Sequence, residues 1–166
     1  MNRKNLFSFL IACLMAIAAV SPTLAQSSVQ SQLAQVRRAT AKFHDPQTAR
    51  AAGYGFVPGV DYCFNNPGVG GMGYHLINTS LMNGTLDPLK PQALVYAPTR
   101  NGGLELVAVE YIVPFSAWSG TEPPSLFGHT FEANPAFSNY SLHAWIFKAN
   151  SLGMFSDWNP KVSCNP

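Results

Sequence analysis

The stretch LELVAVEYIVP, Leu104–Pro114, decides the fold. It is crowded with Val, Ile and Tyr, residues that suit a pleated and packed surface. Alternation along a strand gives one face as Val107, Val109, Tyr111 and Val113, and the other as Leu106, Ala108, Glu110 and Ile112. Both faces are apolar, so both are expected to be covered, or the second to line a barrel interior. Glu110 is the anomaly. An ionised carboxylate among apolar neighbours is costly unless it is paired. Glu110 must therefore lie at an exposed edge, carry a proton, or face a cation.

Working outward, ALVYAP (93–98) reads as a second strand, joined to the first through TRNGG, whose Asn101-Gly102 pair is a hairpin turn signal. GYHLIN (73–78) is a short strand and YSLHAWIFKAN (140–150) the last strong one. FNNPGVGGMG (64–73) is too rich in glycine for an element and reads as a loop. A phosphate cradle there would need a helix N-terminus or a lysine beside it, and neither follows. TLDPLKPQ (85–92) is a turn-rich crossing, and residues 115–139 form a long irregular loop. Upstream, Val29, Leu33, Val36, Thr40 and Phe43 fall at three- and four-residue steps, which predicts an amphipathic helix over 28–43. Asp45 and Pro46 suit the N-cap and first position of a second helix that Gly53 can end. The sum is an α+β fold: an N-terminal helical pair packed on a twisted antiparallel β-sheet or small barrel.

Cations available to Glu110 are few. His75 sits inside GYHLIN, and His143 shares a strand face with Ser141, Trp145 and Phe147. Two imidazoles and a carboxylate from three strands suit one divalent transition metal with open coordination positions. They equally suit acid–base chemistry without a metal. No H-x-H or H-E-x-x-H spacing singles them out, and a strand histidine also serves as a packed core residue. His44, Asp45 and His129 are secondary candidates; Asp45 doubles as a helix cap, and His129 lies in FGHTFE with Glu132 close behind. Tyr74, Trp118, Phe127 and Trp145 are the candidate pocket aromatics. There is no Gly-x-Ser-x-Gly elbow. Three readings follow: a protein binding a metal or small ligand at His75, Glu110 and His143; a metal-dependent or acid–base enzyme using the same residues; and a structural or partner-binding protein with no metal. Binding is preferred because no complete catalytic motif is present.

The N-terminus carries Arg3 and Lys4, an apolar run from Leu6 to Val20, and small residues at Thr23-Leu24-Ala25. This pattern is that of a secretory signal peptide, residues 1–25, leaving one domain over 26–166. The apolar run is short for a membrane span, so no stable membrane anchor is expected after cleavage. LIAC (10–13) resembles a lipoprotein box, but the apolar run continues past Cys13. Removing Arg3 and Lys4 takes the formal net charge from +2 to 0. With no basic cluster larger than Arg37-Arg38, a nucleic-acid partner is rejected. Cys63 and Cys164 remain, and in a secreted or periplasmic compartment they are expected to form one disulfide, which leaves no thiol nucleophile. Three N-x-S/T matches, at Asn78, Asn83 and Asn139, read as turn chemistry.

GGMGYHLIN, LDPLKPQALVYAP, LVAVEYIVP and YSLHAWIFKANSLGMFSDWNPKVSC together resemble an uncharacterised family of small secreted prokaryotic proteins. The likeness begins at ATAKFHD and covers nearly all of the chain after the signal. It implies that His44, Asp45, His75, Glu110 and His143 are family-motif positions, and it brings no activity with it. Ser151 departs from the pattern, which usually reads Asn-Pro at this loop.

Overall fold

The computed structural model describes residues 22–166, with side chains from 28 onward. The expected signal peptide lies outside the described residues except for 22–25, which open the first helix. Helix α1 spans Pro22–Thr40 and continues as a 3-10 turn, Ala41–His44; α2 spans Pro46–Ala51. The break falls at Asp45, whose carboxylate accepts hydrogen bonds from the backbone N–H groups of Gln47 and Thr48.

Eight strands follow: β1 Phe64–Asn66, β2 Gly70–Ile77, β3 Ala93–Pro98, β4 Leu104–Pro114, β5 Ser125–Leu126, β6 His129–Thr130, β7 Glu132–Asn134 and β8 Asn139–Ala144. Six of them form one curled antiparallel sheet in the order β1-β2-β3-β4-β8-β7, and β5 and β6 make a small separate hairpin. The α+β expectation is met: a helical pair beside a curled sheet that closes about halfway to a barrel. β3 and β4 have the boundaries that their apolar runs set. The glycine-rich 64–73 segment is instead a strand pair, and the 115–139 segment contains β5, β6 and β7.

A bulge changes which side chains share a face. Val95 pairs with Ala108 and Tyr96 with Leu106, so Val107 is an extra residue in β4. Leu106 therefore joins Val109, Tyr111 and Val113 on one face, while Val107 joins Ala108 on the other, which reverses the expected alternation at those two positions. The Val107 carbonyl accepts from both the Phe147 and Lys148 backbone N–H groups. That capture is why β8 ends at Ala144 rather than running to 150.

The helical layer covers the first face. Leu33, Val36, Phe43, Ala49 and Tyr54 pack on Leu76, Leu94, Tyr96, Val109 and Tyr111. Buried tyrosine hydroxyls satisfy themselves on backbone carbonyls: Tyr96 on Phe43, Tyr54 on Pro91, and Tyr111 on Pro88. The second face carries Val95, Ala97, Val107, Ala108 and Trp145, and the C-terminal segment folds back over it. Gly71 and Asn159 exchange two backbone hydrogen bonds, and Cys164 is disulfide-bonded to Cys63. The close pass needs glycine: a Cβ on Gly70 would lie 2.3 Å from the Asn159 carbonyl oxygen.

Candidate metal centre

Register on the second face brings the candidate ligands into line. Ile77, Ala93, Glu110 and His143 are successive cross-strand partners on β2, β3, β4 and β8. Glu110 and His143 are thus direct neighbours. His75 is two residues from Ile77 on the same face of β2, three strand spacings from β8. In a flat sheet that is about 14 Å. The curl closes it, and this face is the concave one. Ala93 and Ala108 are short side chains that leave room between the ligands. Gly73 supports the curl next to His75: its φ is +106°, and a Cβ there would sit 2.4 Å from the Tyr96 carbonyl oxygen.

The outcome is a buried cluster. His75 Nε2 lies 3.3 Å from His143 Nε2 and 3.3 Å from Glu110 Oε2. One donor atom from each of His75, Glu110 and His143 falls within 4.8 Å of the other two, so the group could hold a metal ion. Bonds of 2.0–2.1 Å to one tetrahedral ion would separate their donor atoms by about 3.3 Å, which is the spacing of His75 Nε2 from both partners. His143 Nδ1 lies 3.2 Å from Asp157 Oδ1 and 3.7 Å from Glu110 Oε1. Asp157 comes from the C-terminal segment. It is held there by hydrogen bonds from Trp145 Nε1 to the Ser156 carbonyl and from Asn150 Nδ2 to the Trp158 carbonyl. A carboxylate on the far nitrogen of a ligand histidine fixes its tautomer and ring orientation.

The two histidines have opposite electrostatics. Burial pushes His75 down to about 4, and the nearby Glu110 carboxylate only partly offsets it. Burial also works against charge on His143, but Glu110 and Asp157 outweigh it and hold His143 above its ordinary value. The hydrogen bond from His143 keeps Asp157 below the usual carboxylate range. When protonated, His143 donates from Nδ1 to Asp157 Oδ1 and from Nε2 to His75 Nε2, with the Glu110 carboxylate as an ion-pair neighbour at 3.7 Å. His75 Nδ1 lies beside the Gly73 backbone yet makes no hydrogen bond of good geometry.

The cluster lies in the wall of a cavity of about 380 Å³. Phe64, Met72, Ile112, Phe137 and Trp158 supply its apolar walls, and Ser141 its polar side near His143. None of Tyr74, Trp118, Phe127 or Trp145 lines it, which corrects the expected pocket aromatics. Tyr74 packs on Phe56, and Trp118 donates to the Glu122 carbonyl. Phe127 is core against Tyr111, and Trp145 is buried alongside His143. The secondary candidates also lie apart from the cluster: Asp45 caps α2, His44 packs edge-on to Phe147, and His129 packs on Phe155. Sequence reasoning missed Asp157. Its Ser-Asp-Trp-Asn surroundings carry no periodicity, and only the C-terminal return brings it to His143.

Comparisons with family models, with curated proteins and with solved structures find no match to this chain. The likeness to a secreted family accordingly rests on its motifs alone.

Proposed function

We propose that this is an exported protein that binds one divalent transition metal through His75, Glu110 and His143, with Asp157 orienting His143. The observation that carries the reading is the convergence of three donor atoms within 4.8 Å at a buried point. Two imidazoles and one carboxylate are a donor set suited to zinc, copper, iron or nickel. The Cys63–Cys164 disulfide fits an oxidising compartment, in keeping with the signal-like N-terminus.

Metal-assisted catalysis is the second reading, favoured by the cavity against the cluster: three protein ligands with an open side is the arrangement of catalytic rather than structural zinc sites. When bound, the metal would supply Lewis acidity or an activated water. Calorimetric titration of the chelator-treated protein with zinc, copper, iron and nickel tests the common core of both readings. One ion per chain, lost on His143→Ala, is expected. No binding of any of the four would overturn it.

A further inference from the structure

The cavity beside the cluster has a chemical character of its own. Its volume, about 380 Å³, lies within the range of small-molecule sites. An aromatic path leads from the surface to the ligands. Tyr62, half exposed, packs on Phe64 at 4.3 Å between ring centroids; Phe64 meets His75 edge-on at 5.2 Å and Phe137 at 6.0 Å. Phe137 is 45% exposed, a large apolar side chain left uncovered at the cavity wall. Among the described residues no Lys or Arg lines the cavity, and its charged side chains, apart from the histidines, are the carboxylates of Glu110 and Asp157. A bound metal would therefore be the principal positive charge offered to a ligand. Ser141 stands one side-chain step from His143 on the same face of β8 and lines the cavity. Its hydroxyl makes no hydrogen bond among the described residues.

Resting on the metal reading above, we propose that the cavity takes a small organic acid, its carboxylate completing the metal's coordination and its apolar body lying against Phe64, Phe137 and Trp158. Ser141 donates to the carboxylate oxygen that the metal leaves free. Without the metal, Glu110 and Asp157 repel such an anion, so acid binding depends on metal loading. A metal-free small-molecule pocket of this charge would favour neutral or cationic ligands instead.

The test uses cobalt-loaded and metal-free protein titrated with benzoate, phenylacetate and hexanoate, with acetate and benzyl alcohol as controls. Calorimetry reads affinity, and the cobalt visible bands read entry into the coordination sphere. The three larger acids should bind cobalt-loaded protein at least about tenfold more tightly than either control, because an apolar body and an anionic head are both required. They should shift the cobalt bands and should not bind the metal-free form. Phe137→Ser should weaken acid binding about tenfold while leaving cobalt affinity unchanged. Ser141→Ala should weaken it severalfold. If cobalt binds but the acids bind no better than benzyl alcohol, or bind equally without cobalt, the organic-acid assignment is overturned and the metal site stands. If neither cobalt nor any of zinc, copper, iron and nickel binds, both fall.

Discussion

Replacing Glu110 with Gln keeps the shape of the side chain and removes its charge, so it separates a metal ligand from a structural ion pair. Consider first the metal-free protein. At the 3.7 Å between Glu110 Oε1 and His143 Nδ1, opposite charges with interior screening attract by about 4 kcal/mol. That is a ceiling. His143 retains Asp157 at 3.2 Å, and it can release its proton rather than stay charged without Glu110. The expected loss of stability on Glu110→Gln is therefore about 1–2 kcal/mol, read by urea unfolding of chelator-treated protein at pH 7. The metal-loaded protein behaves differently. Outer partners of ligand histidines alone are worth roughly 10–100-fold in affinity, so loss of a direct carboxylate ligand should cost at least about 100-fold. Calorimetry with zinc and the loss of zinc-dependent thermal stabilisation both measure it. A purely structural pair would give the same stability loss of about 1–2 kcal/mol with nothing dependent on metal. Zinc affinity within threefold of wild type in Glu110→Gln would refute the ligand assignment.

Asp157→Asn should lower zinc affinity by roughly 10–100-fold, measured by competition with a chromogenic chelator; unchanged affinity would remove Asp157 from the site. The folded His75 sits at about 4 against an ordinary 6.5, so the unfolded chain binds the extra proton between those values. Its contribution is complete above pH 6.5 and is lost as pH falls to 4, about 3 kcal/mol in all. His143 has the opposite sign: its contribution is present below 6.5 and fades as pH rises through its raised folded value. In urea unfolding at pH 4.5 and pH 7, metal-free His75→Gln should therefore show a smaller loss of stability at the acid end than wild type does; an equal loss would contradict the assignment. The double change Cys63→Ser, Cys164→Ser opens a link spanning 101 residues and should cost about 4–5 kcal/mol; a midpoint of unfolding unchanged from wild type under non-reducing conditions would contradict it. Gly73→Ala places a Cβ 2.4 Å from the Tyr96 carbonyl and should destabilise the fold by more than about 2 kcal/mol, with weaker zinc binding as His75 shifts; full stability would show that the curl tolerates a side chain there.

What was legible in the sequence follows from how local each signal is. β3 and β4 declare themselves because an apolar β-branched run and an Asn-Gly turn need no distant partner to be read. Asp45 and Pro46 mark the start of α2 for the same reason. The triad was legible because a carboxylate in a buried strand has so few explanations, and only His75 and His143 lay on strands that could meet it. The Val107 bulge was not legible. An extra residue in one strand appears only against its partner, and it exchanged Leu106 and Val107 between faces. β1 was hidden because its pairing depends on Gly70, Gly71 and Gly73, which passed for loop residues. The pocket aromatics were misassigned because nothing local separates a Trp145 sealed in the core from a Trp158 that lines the cavity. Asp157 depends on the longest-range feature of all, the return of the C-terminus that Asn159 and the disulfide anchor.

The central claim is that two imidazoles and a carboxylate from three strands form one metal site. Crystals of the protein grown with zinc, measured on both sides of the zinc absorption edge, test it most directly. A single strong anomalous peak is expected about 2.0–2.2 Å from His75 Nε2, His143 Nε2 and a Glu110 carboxylate oxygen. A peak elsewhere on the chain, or none between these residues at saturating zinc, would contradict it.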